Sequence, residues 1–286
     1  MIEGLPDGFQ AILRLHVDLT APNTSIIEFL KPYIDQYHYI IVSNPSYEKG
    51  LLWEGHPAIK TIAPAINPLS EKNRPMALAT AQQALLGFNI NTNKPIISQI
   101  SRFDPWKDPI GVIDAYYSAK NKIPDLQLIL AGIKEALDDP QQIEFYQKAK
   151  KHSADDRDVF LFFEPEDIDG VSVDSFINAV QTASDVILQK SIREGFGLTM
   201  TEAMWKGKAV IAGATAGAMT QIKNAENGFI VSSTDETAET IIYLLENPTI
   251  RETIGAKARA SVRERFLTPR LLLDSIEIYN KLHDLI

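Results

Sequence analysis

The chain has 286 residues, 45% apolar and 23% charged, an ordinary globular composition with material for two cores. A formal net charge of −9 argues against a general nucleic-acid or membrane-surface binder, and zero cysteines exclude a disulfide framework or thiolate metal site while fitting a reducing cytoplasm. The start, MIEGLPDGFQAIL, lacks a basic segment followed by an apolar one, and no apolar run approaches the ~20 residues that cross a bilayer, so a soluble cytoplasmic protein without membrane insertion is expected.

In chain order, β-branched apolar runs predict strands at 11–18, 39–43, 59–63, 95–101, 126–131, 158–163, 184–189, 209–213 and 228–232. Helical patterns lie between them at 24–37, 75–86, 107–121, 140–152, 172–183, 198–206 and 217–224. Three more helices follow at 234–246, 248–266 and 268–284, punctuated by Pro248 and Pro269. Strand–helix alternation of this kind predicts an α/β protein with doubly wound parallel sheets. The polar, proline-bearing stretch 64–94 marks a junction, giving a first unit at 1–90 and a second at 91–286.

Within SIREGFGLTMTEAMWKGKAVIAG, residues 191–213, a strand runs through a glycine loop into a helix. In open parallel sheets ligands sit at that carboxyl rim, and a helix N-terminus there suits phosphate. Gly195 and Gly197 allow close approach and unusual backbone angles. Glu194 stands in the loop, and Glu202 one turn inside the helix, where a carboxylate can accept two hydroxyls of a ribose. The plain alternative pairs Glu194 with Arg193 on the surface and leaves Glu202 to stabilise the first helical turn.

SQISRFDPWKDPIGVIDAYYSAK, 98–120, repeats the construction, with Arg102 leaving the strand and Lys107 in the first helical turn. A cation there opposes the helix dipole unless an anion binds, and Arg with Lys can grip a diphosphate. Alternatively, Asp104 and Asp108 neutralise both locally. In ILRLHVDL the period of two puts Arg14, His16 and Asp18 on one strand face, either a cleft wall with His16 and Asp18 on the acceptor side or a solvated edge.

SRFDPWK followed by SIREGFGLTMTEAMWKGKAVI resembles the retaining glycosyltransferases of family 4, two-domain enzymes of the GT-B fold. HVDLTAPN at 16–23 and INPLSEKN at 66–73 resemble the branch of trehalose synthases and trehalose phosphorylases. The resemblance implies a GT-B-like fold with a truncated N-terminal Rossmann-like unit and a complete C-terminal one. It implies that Arg102 and Lys107 hold the diphosphate of UDP- or ADP-glucose, Glu202 the ribose and Glu194 the hexose. The backbone of Gly195, Phe196, Gly197, Leu198 and Thr199 would cover sugar and phosphates, with no metal and no cofactor beyond the donor. The departing phosphate would help deprotonate the incoming sugar on the same face. About half of the family's N-terminal domain has no counterpart, and Gly4, Gly8, Gly50, Gly55 and Gly87 form no glycine-rich turn after a first strand. A catalytically silent nucleotide-sugar-binding module therefore stays open beside the transferase and the phosphorylase. Self-association or a complementing N-terminal chain is expected to cover the residual sheet. Asp108 also stands where many relatives have glycine, and ATAGAM at 214–219 lacks their paired glycines.

Asp167-Ile-Asp169 is expected to be a solvated turn and helix start. The histidines 16, 38, 56, 152 and 283 show no metal-binding spacing, and Trp53, Trp106 and Trp205 are expected to pack.

Overall fold

The computed structural model describes residues 10–51, 56–134, 140–154 and 156–283; Trp53, Gly4, Gly8 and Gly55 lie outside them. A first sheet of three parallel strands is built from β1 (Ile12–Arg14), β2 (Tyr39–Val42) and β3 (Ala58–Thr61), in that order. Helix α1 (Thr24–Ile34), capped by the Asn23 side chain, crosses from β1 to β2.

A second sheet holds β4 (Ile96–Ile100), β5 (Gln127–Ala131), β6 (Val159–Phe162), β7 (Val186–Gln189), β8 (Ala209–Gly213) and β9 (Phe229–Val231). Its order is β6-β5-β4-β7-β8-β9, parallel throughout. The crossovers are α3 (Pro109–Lys120), α4 (Pro140–His152), α5 (Val173–Ala183), α6 (Leu198–Trp205) and α7 (Ala216–Gln221). Both faces of a sheet so wound are covered, which is why its strands read as continuous apolar runs. Ile97, Leu128, Leu130, Leu188 and Ile211 point into one core, with α3 and α8 (Thr234–Glu246). Their neighbours Ile96, Ile129, Ile187 and Val210 point into the opposite face, under α5, α6, α9 (Pro248–Arg265) and α2 (Leu78–Leu86).

The winding reverses direction between β4 and β7, the place where such sheets open a crevice at their carboxyl ends. The two loops singled out in the sequence leave these two strands.

By packing, the chain crosses between the sheets twice. Helix α2 lies on α5 beside the second sheet, whereas α10 (Thr268–His283) returns to the first, setting Ile278 and Leu282 against Ile41 and Ile62. The crossing point is pinned where the Ile66 amide donates to the Phe266 carbonyl (2.9 Å) and Thr268 donates back to Ile66 (3.1 Å).

Two expectations need correcting. The first strand is 12–14 rather than 11–18, so His16 and Asp18 lie beyond it: its ladder ends as the Leu15 amide donates to Ile41, and the Asp18 carboxylate then folds a turn over the Thr20 amide (2.9 Å). Helix α3 starts at Pro109, not 107, because Asp104 caps a 3-10 turn at Pro105–Lys107 and Asp108 takes left-handed backbone (φ 49°) to cap α3 itself.

Candidate functional site

The loops after β4 and β7 are stitched together from below. Buried Gln99, at the end of β4, donates to the Lys107 carbonyl (2.8 Å) and accepts the Lys190 amide (2.8 Å). The Ile192 amide donates to the Trp106 carbonyl (2.8 Å). With this frame fixed, Lys107 Nζ meets Glu194 Oε2 at 2.5 Å, both side chains largely buried. Gln189 Nε2 and Ser191 Oγ reach the same oxygen at 3.3 Å. The nearest carboxylate to Lys107 is thus neither Asp104 nor Asp108; Asp108 pairs with Lys190, and Asp104 with Arg102 at 3.2 Å. Nor does Glu194 pair with Arg193. That guanidinium turns to the first sheet, donating from Nε to Asp18 Oδ2 (3.1 Å) and from a terminal nitrogen to the Ala21 carbonyl (3.2 Å).

The glycines divide two tasks. Gly197 has φ 84° and opens α6 without a capping side chain, a conformation that costs an L-residue about 1–2 kcal/mol. Gly195 makes close contact instead: a β-carbon there would stand 3.3 Å from the Asp18 amide nitrogen. Buried Tyr47 holds the same residue by donating to the Gly195 carbonyl (2.8 Å), and burial pushes its phenol well above the usual range.

Two cavities flank the start of α6. One, of about 420 Å³, is lined by Lys72, Ser101, Arg102, Gly132, Asp174 and Thr199. The other, of about 480 Å³, is lined by Arg14, His16, Asp18, Glu194 and the run from Gly195 to Leu198. Consecutive residues, Leu198 and Thr199, therefore face different cavities across one helical turn. Partial desolvation, and secondarily Arg14, lowers the pKa of His16. A third cavity, of about 800 Å³, takes in Asn44, Trp106, Arg193 and Arg265 and contains Asp18 alone of the expected site residues.

Glu202 lies 6% exposed below the first turn of α6, with Oε2 making no hydrogen bond and Oε1 3.8 Å from Lys72 Nζ. Burial raises its pKa, against the pull of Lys72 and Lys206, and burial also pushes Lys206 down to about 8. A buried carboxylate oxygen without a partner is costly, and ligand hydroxyls are a way to satisfy it.

The structure thus brings Lys107 to Glu194, sets 195–198 beside His16 and Asp18, and places Glu202 behind Lys72 on the side of Arg102 and Thr199. Lys107 and Glu202 line neither of these two cavities. Sequence reasoning missed Lys190, Arg193, Tyr47 and Lys72. Lys190 carried a signal, since it directly follows β7 at the reversal of the sheet, and Arg193 and Lys72 lie within runs quoted above. The long-range partners of these two, and the contact of Tyr47 with Gly195, are what no local pattern reports. Trp106 is not a packing residue: it is 48% exposed, with the Arg193 guanidinium 5.5 Å above its ring. Trp205 does pack, donating to the Asn73 carbonyl (3.1 Å). Asp167 caps the turn at Pro165–Ile168 as expected, accepting the Phe163 and Glu164 amides (2.7 and 2.9 Å). Among the described residues no three His, Asp or Glu side chains gather to hold a metal, and no helix is long and apolar enough to cross a membrane.

Comparison with known proteins finds relatives over nearly the whole chain. A trehalose synthase of Pyrococcus horikoshii is 41% identical over 269 residues, covering 94% of this chain and 63% of its own length. One of Rubrobacter xylanophilus is 37% identical over 279 residues, covering 98% of this chain and 65% of its own. The chain therefore spans a little under two thirds of these relatives. Among solved structures, Anabaena Alr3699/HepE in complex with UDP-glucose superposes with a TM-score of 0.77 at 21% identity, over 95% of this chain and 72% of that one. The fold is accordingly that of the GT-B glycosyltransferases. Residues 87–261, which carry both loops, match the model of the glycosyl transferases group 1, and the chain belongs to that family.

Proposed function

We propose that the chain transfers a glucosyl group from a nucleoside-diphosphate glucose to a sugar acceptor with retention of configuration, as a trehalose synthase-like enzyme of the cytoplasm. The observation that carries this reading is the pair of cavities on either side of the first turn of α6. A donor with its nucleoside beside Arg102 and Lys72 and its hexose beside Glu194 lays its diphosphate across that turn. There the helix dipole and Arg102 meet the charge that develops on the leaving group. Lys107 has three N–H donors, so its bond to Glu194 leaves capacity for a phosphate oxygen. The Lys107, Gln189 and Ser191 bonds all fall on Glu194 Oε2, which holds the carboxylate and supports a role for Oε1 toward the hexose hydroxyls in this reading. Glu202 takes the ribose. His16 faces the acceptor, and Asp18, tied to Arg193, holds the Glu194 loop in place.

Donor and acceptor sugars are the partners in this reading, with no nucleic acid and no metal. A second copy of the chain, or a complementing one, is the further partner proposed for the exposed apolar residues of α1, such as Ile26 and Phe29. Light scattering that returns a clean monomer removes that partner.

Calorimetry with UDP, ADP and their glucose conjugates, followed by turnover with glucose, tests the reading. Nucleotide binding with trehalose formation is expected. Glu194→Gln is expected to lower turnover about a hundredfold or more, the cost of one lost transition-state contact, while leaving UDP affinity unchanged or higher. Binding without turnover in the wild type would replace the transferase by a silent binding module, and no binding at all would remove both.

A further inference from the structure

The segment between the sheets carries a side chain into the nucleotide cavity. Residues 71–74 are strapped down on both sides of Lys72. From α5, Asn178 Nδ2 donates to the carbonyls of Glu71 (2.9 Å) and Arg74 (3.0 Å), and Ser175 Oγ donates to the Glu71 carboxylate (2.6 Å). From α6, Trp205 Nε1 donates to the Asn73 carbonyl (3.1 Å). The Lys72 ammonium then stands 3.8 Å from Glu202 Oε1 and 3.6 Å from Asp174 Oδ1, on the wall that includes Arg102. Three of these bonds fix the backbone on either side of Lys72 and the fourth holds the Glu71 side chain, which sets where the lysine stem starts.

We propose that Lys72 is a positioning residue for the nucleoside end of the donor: it keeps the Glu202 carboxylate ionised and oriented, so that Oε2 can accept a ribose hydroxyl. This rests on the donor reading above and adds to it a residue from outside both loops. The need for such a cation follows from the burial of Glu202, which by itself favours the neutral acid, and a neutral acid offers a diol fewer acceptors. The charged groups facing Glu202 are Lys72, Lys206 on its own helix and Asp174 on α5. Burial pushes Lys206 down to about 8, and Lys72 is the cation that reaches Glu202 from outside its helix.

The test compares UDP and ADP with their 2′-deoxy forms by calorimetry on wild type, Lys72→Met and Lys72→Arg, with thermal unfolding to show that each variant is folded. In the wild type, loss of the 2′-hydroxyl is expected to weaken binding about tenfold, typical of a hydrogen bond to a charged group. In Lys72→Met that preference is expected to fall below about twofold, and Lys72→Arg is expected to restore it. The ratio in Lys72→Met is further expected to recover as pH rises, because Glu202 then ionises without help; phosphate titration cancels, since both ligands share it. A Lys72→Met protein with the wild-type ratio at every pH overturns the proposal. A wild type that binds UDP or ADP but shows no ribose preference also overturns it, leaving the donor reading standing. A wild type that binds neither nucleotide removes both.

Discussion

The two sheets are built from the same strand–helix units, yet they do different work. In the six-stranded sheet β4, β5, β7 and β8 are buried at every position, and the polar residues at their ends, Gln99 and Gln189, are bonded to the loops above. In the three-stranded sheet β1 is half-buried throughout and α1 exposes Phe29 (68%) and Tyr33 (45%) opposite its packed face. The charged rim stands on the deeply packed sheet; the other sheet supplies clamps, through Asp18, Tyr47 and Asn44. The rim residues are thus carried by strands with the densest packing, the regions that open last in a folded protein.

Truncation in the two cores should show the contrast most strongly. Leu188→Ala in β7 is expected to cost about 2–5 kcal/mol in denaturant unfolding, and Leu13→Ala in β1 much less, since Leu13 already touches solvent. Equal costs would erase the distinction. Next, Arg102→Ala or Lys107→Ala is expected to weaken UDP or ADP binding by about 1.5–3 kcal/mol in calorimetry. Arg193→Ala, which removes the clamp to Asp18, is expected to lower transfer while leaving nucleotide affinity within about threefold, the size of a partly exposed ion pair. A large loss of nucleotide affinity there would put the clamp inside the phosphate site.

A smaller effect concerns pH. Lys208, whose ammonium donates to the Thr182 and Ser184 carbonyls (2.6 and 2.9 Å), is pushed by burial from 10.5 down to about 8. Between those values the unfolded chain keeps the proton and the folded one releases it, so stability rises with pH. Lys206 acts in the same direction. The two carbonyls favour the ammonium, so a rise on the order of 1 kcal/mol is expected in unfolding from about pH 8 to 9.5, and Lys208→Met should flatten it. Above about pH 10 the buried phenols of Tyr47 and Tyr116, which ionise first in the unfolded chain, should reverse the trend.

The same contrast governs what was legible in the sequence. Strands buried on both faces announce themselves as apolar runs, so 96–100, 127–131, 186–189 and 209–213 were found nearly to the residue. Alternating polarity in ILRLHVDL promised a longer strand, but the Asp18 turn over Thr20 competes with the ladder and stops it at Arg14. At the site, residue types and spacing marked both loops, because a carboxyl-end loop running into a helix is a local pattern. What joins to what was not local. Lys107 sits 87 residues from Glu194, Arg193 is 175 from Asp18, and Lys72, though inside the INPLSEKN run, gave no local sign of its approach to Glu202.

In the proposed complex a diphosphate lies over the first turn of α6, between the two cavities. A crystal structure with UDP-glucose tests it directly. Phosphate oxygens are expected within hydrogen-bonding distance of Arg102 and the start of α6, with Arg102 drawn off Asp104 and the hexose against Glu194. UDP-glucose seated instead in the cleft of Asn44 and Arg265, with Arg102 still on Asp104, would contradict it.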